Sequence, residues 1–136
     1  MEWYIVKNYN GKWVNKMANK EIKSGTSEGM KESFKKATVE MLLLDIVAEE
    51  SMYVYQIMSE MTKRSEGLYT VSTLYPAIYR LTKFNYMKED GIKISEGNRA
   101  RRFYSITPEG KAYYKQLRTE YGLLVKGIEK IVAFKG

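Results

Sequence analysis

Neither cysteine nor histidine occurs in the 136-residue chain. Without cysteine there is no disulfide and no thiolate nucleophile or ligand. Without histidine there is no side chain whose ordinary pKa lies near neutrality, and no imidazole for a metal. Hydrolases built on a histidine partner and His-ligated zinc enzymes are therefore excluded. Glu49 and Glu50 are adjacent carboxylates, but neighbours on a helix face different ways, and no glycine-rich phosphate loop accompanies them. An enzyme is not expected, nor a metal or cofactor. Long apolar runs are also missing: the longest, MLLL, is cut by Asp45, far short of the ~20 residues of a membrane span. The opening stretch MEWYIVKNYN lacks the basic start and apolar core of a signal peptide. A cytoplasmic location without a membrane partner is the expectation.

The composition, 44% hydrophobic and 29% charged, is that of one ordinary globular domain. The net charge is +7 and the pI about 9.4, a balance that favours a polyanionic partner such as nucleic acid, although a solvated basic surface has the same sign. Charge is segregated as well as unbalanced. Residues 37 to 61 hold Glu40, Asp45, Glu49, Glu50 and Glu60 and no Lys or Arg.

Periodicity organises the chain. Residues 1–30 form an aromatic and polar extension of unknown role, with a short strand or turn near Trp3 to Val6, a loop, and a linker-like KSGTSEG. Trp3 and Trp13 are expected to cover apolar surface. Helical spacing predicts a first helix from Ser33 to Glu49 whose second half is apolar nearly all round, and hence buried on every side. In so short a chain, that points to burial against a second subunit, at Met41 and Leu44, as well as against the domain itself. Ser51 reads as the cap of a second helix, Met52 to Thr62. A third runs from Thr70 to Asn85, with Val71, Leu74, Ile78 and Leu81 on its inner side. The period then changes to two: YMKEDGIKIS and RRFYSIT read as strands joined by the polar turn SEGNRA. Thr107, Pro108 and Glu109 open a last helix by capping and dipole rules. Its apolar residues Tyr114, Leu117, Tyr121, Leu124, Ile128 and Ile131 repeat as a heptad seam. A second copy of the chain or the helix's own domain would cover it.

Three helices and a hairpin follow the order of a winged helix-turn-helix: a mainly α, α+β fold with a two-stranded wing. Residues 31–107 form the domain, and residues 108–136 form a long C-terminal dimerisation helix. In that arrangement the third helix enters the major groove. Its outer arc carries Ser72, Thr73, Pro76, Tyr79, Arg80 and Lys83 and no carboxylate, as a surface facing phosphates requires. The wing adds Arg99, Arg101 and Arg102. Pro76 fits either of two registers. With a cap at Thr73 it falls in the first turn, where its missing N–H costs little; with a cap at Thr70 it breaks one interior bond and kinks the helix.

These residues resemble the PadR-like transcriptional regulators. Thr73, Leu74, Tyr75, Pro76, Ala77, Arg80 and Leu81 match the family's T-L-Y-P-A-L-x-R-L. Arg101, Arg102, Tyr104, Thr107 and Gly110 match its basic wing and Y-x-L-T-x-x-G, and Tyr53, Tyr55 and Ile57 match its Y-G-Y-x-I. The likeness covers roughly residues 34–133 and fits the short-tailed branch with one C-terminal helix. Val54 and Ser72 stand where glycines are usual, and FNYMKED replaces the commoner x-G-L-I. The resemblance implies a ligand-responsive homodimeric repressor on a pseudo-palindromic operator in double-stranded DNA, with its C-terminal helix against the partner's first helix. It also implies the register with Thr70 near the cap and a kink at Pro76. The implied DNA contacts are Tyr53, Thr70, Ser72, Thr73, Tyr75, Tyr79, Arg80, Lys83, Arg99, Arg101 and Arg102. Tyr121 stands where some relatives hold a flat aromatic effector, and equally at a plain heptad core position. The competing expectation is a winged-helix adaptor that binds an acidic protein instead of DNA.

Overall fold

A computed structural model describes residues 3–17, 25–70 and 74–135. Two compact units divide the chain, Met1–Ala37 and Thr38–Gly136. In the first, β1 (Trp3–Lys7) and β2 (Trp13–Met17) pair antiparallel, Lys7 opposite Trp13. Asn8 builds the turn: its side-chain oxygen accepts the backbone N–H groups of Asn10 and Lys12, each at 3.0 Å. A strand therefore stands where only a loop was expected, because Asn15 and Lys16 hide its alternation. The side chains of Trp3 and Trp13 lie outside the described residues.

Helix α1 spans Ser27–Glu49 and starts earlier than its apolar pattern. The Thr26 hydroxyl oxygen accepts the Gly29 N–H at 2.9 Å, so the linker-like stretch contains an N-cap. Leu43, Leu44 and Val47 of α1 form the core with Ile57 and Met61 of α2 (Val54–Arg64), Leu74, Ile78 and Leu81 at α3 (Tyr75–Lys83), and Met87. Each such side chain, fully buried, contributes roughly 1.5–3 kcal/mol.

Ser51 does not cap α2. Met52 and Tyr53 instead form a short strand, β3, paired with Tyr104 and Phe103. It joins β5 (Arg99–Ile106), which in turn pairs with β4 (Met87–Ser95), in the order β3-β5-β4. The inner ends of these strands, Met52, Met87 and Tyr104, are buried. Ile92 and Ile94 are exposed, because the wing extends past the core.

Helix α3 begins at Tyr75, which makes Pro76 its second residue. There a missing N–H leaves no bond unmade. Pro76 thus lies in the first turn, with Leu74 as the N-cap residue, and no kink is needed; Thr70 lies exposed ahead of the helix. At the other end Asn85 takes φ 63 and the Tyr86 N–H reaches Leu81 O at 2.8 Å. Asparagine tolerates this left-handed position nearly as glycine does, so the departure from x-G-L-I preserves the turn. Thr107 then ties the junction to α4 (Pro108–Ala133). Its hydroxyl accepts the Gly110 N–H at 2.9 Å and donates to Asn85 O at 2.6 Å. Among the described residues, no helix is long and apolar enough to cross a membrane.

Candidate nucleic-acid interface

Burial of Ala77, Ile78 and Leu81 turns the opposite side of α3 outward. Tyr75 and Tyr79 are exposed there, with the Lys83 ammonium 6.0 Å from the Tyr79 ring centre. Ser72 and Thr73 lie outside the described residues. Arg80 departs from the expected strip. Its Nε sits 2.8 Å from Glu40 Oε1 on α1, so it is directed back onto its own domain. The wing shows the same kind of ion pair at one position, where Arg102 Nε lies 3.2 Å from Glu89 Oε1. Folding thus sets two carboxylates beside a strip that is free of them along α3 itself. Both Arg102 and Arg99 remain exposed.

Tyr53 stands apart from these exposed side chains. It is only 9% exposed, which leaves it little surface for direct contact with a duplex. It lies edge-on to Phe103, centroids 5.4 Å apart, with the Arg101 guanidinium 5.2 Å from its ring centre. Beside it Tyr55, Tyr75, Arg101 and Arg102 line an open hollow of about 360 Å³ between α3 and the wing. Sequence reasoning gave Tyr55 no role in DNA contact and passed over Phe103. The signal for Phe103 was present: a residue two places from Arg101 on a strand shares its face.

The seam on α4 divides in two. Tyr114 and Leu117 pack on the chain's own core, and the Tyr114 hydroxyl donates to Asp45 Oδ1. Burial first, and then that bond, push the Tyr114 phenol above its ordinary value. Beyond them, Tyr121 is half-buried, and Leu124, Ile128 and Ile131 are exposed. Leu123, Val132 and Phe134 add to this apolar surface. The expected partners on α1 are not available: Leu44 is 0% exposed within the single chain and Met41 is also buried. The first helix is apolar all round because its own domain surrounds it. Glu49 is engaged structurally, since Arg64 grips it with two bonds of 2.8 Å and holds its carboxyl below the usual range.

Residues 43–116 match the transcriptional regulator PadR-like family. The solved structure of a transcriptional regulator from Clostridium thermocellum is 34% identical, with 74% of this chain and 98% of that one covered and a TM-score of 0.66. A PadR family transcriptional regulator from Eggerthella lenta shares the fold at 23% identity, with a TM-score of 0.67 over 89% of this chain and 97% of its own. An uncharacterized protein from Lysinibacillus sphaericus is 28% identical over 100 residues, which is 67% of this chain and 91% of that protein.

Proposed function

The chain belongs to the PadR-like family of transcriptional regulators, and from that premise we propose that it is a cytoplasmic, homodimeric, DNA-binding repressor. The observation that carries the reading is the outer side of α3. It shows Tyr75, Tyr79 and Lys83 to solvent beside the exposed wing residues Arg99 and Arg102. Tyrosine hydroxyls and cations are the donors that phosphate oxygens and base edges accept. In this reading α3 enters a major groove, with Thr70 at its approach, and the wing holds the backbone.

One such domain makes few contacts, and a pair on a pseudo-palindromic operator doubles them. The exposed Leu124, Ile128 and Ile131 supply the apolar surface for pairing, since contiguous patches of this kind mark interaction sites. With Met41 and Leu44 buried in their own domain, the pairing rests on this distal half of α4. A flat aromatic effector would bind near the paired helices at Tyr121, beside Gly122, where a Cβ would meet nothing within 4 Å.

A gel shift with DNA from upstream of the chain's own coding sequence tests the repressor reading. Retardation that survives competitor DNA supports it. Binding only to an acidic protein, with no retardation, would favour the adaptor.

A further inference from the structure

We infer that Tyr53 is a positioning residue for DNA binding, its ring holding the Arg101 guanidinium so that Arg101 offers a preformed contact to one backbone phosphate of duplex DNA. The inference rests on the DNA-binding reading above.

The face that carries Arg101 is built by strand register. On β5, Arg101 and Phe103 point the same way, Lys93 of β4 stands opposite Arg101, and Tyr53 of β3 stands opposite Phe103. Two cations therefore lie over two aromatic rings. The Arg101 guanidinium is 5.2 Å from the Tyr53 centroid, and the Lys93 ammonium is 5.0 Å from the Phe103 centroid. The negative faces of the rings attract both. Like charges directly opposite each other across a strand pair repel, so this placement favours an added anion.

Lys93 has Asp90 at 4.0 Å and Arg102 has Glu89. Arg101 has no carboxylate partner among the described residues, and its Nε is buried without a hydrogen-bond partner. A buried donor without a partner is costly and marks a place where a ligand is wanted. The adjoining hollow opens toward Tyr55 and Tyr75, whose hydroxyls are further donors. Guanidinium presents a planar fork that matches phosphate. Held by the Tyr53 ring, it has surrendered rotamer freedom before DNA arrives.

The test is salt-titrated fluorescence anisotropy on a labelled mixed-sequence duplex, with full-length protein. Arg101→Ala is expected to lower the salt slope by about 0.9 for each phosphate the protein no longer neutralises. Tyr53→Leu should lower it toward the same value, and the double variant should fall no further. Tyr53→Phe, which keeps the ring, should recover what Leu loses. Because Tyr53 is buried, thermal unfolding is read alongside. Pentafluorophenylalanine at position 53 keeps the ring's shape while reversing its quadrupole, and should weaken binding roughly two- to fivefold with the fold intact. If the leucine or fluorinated variant keeps wild-type affinity and slope, the positioning role is overturned while DNA binding stands. The same holds if Phe loses as much as Leu. If wild-type protein retains no duplex at low salt, the DNA-binding reading fails and the inference with it.

Discussion

Arg80 on the third helix and Glu40 on the first form an ion pair, Nε to Oε1 at 2.8 Å. Tyr113 of α4 lies beside this pair in a hollow shared with Phe84 and Tyr86, stacked on Tyr86 at 4.2 Å. Burial and then the Glu40 charge raise its phenol. The third helix is thereby tied to the first through Arg80 and Glu40, and the Phe84–Tyr86 turn that follows it is stacked on α4.

Arg80→Ala tests that assignment. The pair is half-exposed, so its loss should cost about 1 kcal/mol or less, read by urea unfolding. The salt slope of DNA binding should fall less than in Arg101→Ala. A larger fall would return Arg80 to the DNA surface.

Gly110 is fixed by a backbone approach. A Cβ there would stand 2.0 Å from the Tyr86 carbonyl oxygen and 2.8 Å from Ile106 Cγ1. Gly110→Ala must push the start of α4 off the Asn85–Tyr86 turn and is expected to cost roughly 3 kcal/mol, measured as a lower urea midpoint. Gly127→Ala, where a Cβ meets nothing within 4 Å, should gain about 0.5–1 kcal/mol of helix propensity in the single chain. It tests close packing between paired helices too, since crowding there would reverse the sign.

Stability should fall in alkali. Tyr113 and Tyr114 both have folded values raised above the ordinary 10.0. Folding therefore favours the protonated phenols. Their contribution is complete below pH 10.0 and is lost as the pH climbs from there through the folded values. Thermal midpoints across that window should drop, and the drop should be shallower in Tyr114→Phe. An unchanged slope would show that the Tyr114 phenol does not contribute to the fall.

The apolar tail of α4 should hold two copies together. Ile128→Glu places a charge on that stripe. It should weaken self-association about tenfold or more, the worth of one buried isoleucine, with unfolding of the remaining domain unchanged. Sedimentation equilibrium reads this directly.

Much of this architecture is local chemistry and could be read from the chain. The period change after Asn85, the Thr107 cap and the inner face of α3 each lie within a few neighbouring residues. What escaped was distant or masked. Strand β3 is two residues long and exists because Phe103 and Tyr104 pair with it. Glu40 and Arg80 are 40 residues apart. The burial of Leu44 inside its own domain depends on where α2 and α3 pack, so an apolar pattern on the helix alone does not separate its own domain from a second subunit. At the candidate site, residue types were legible but partners were not: Arg80 and Arg102 acquired carboxylates, and Tyr53 proved to lie beneath Arg101.

Native mass spectrometry of the full chain mixed with duplex DNA from its own upstream region puts the account to its most direct test. Two chains on one duplex, with free protein dimeric, is the predicted result. Protein that stays monomeric, or duplex that stays bare at low salt, would contradict it.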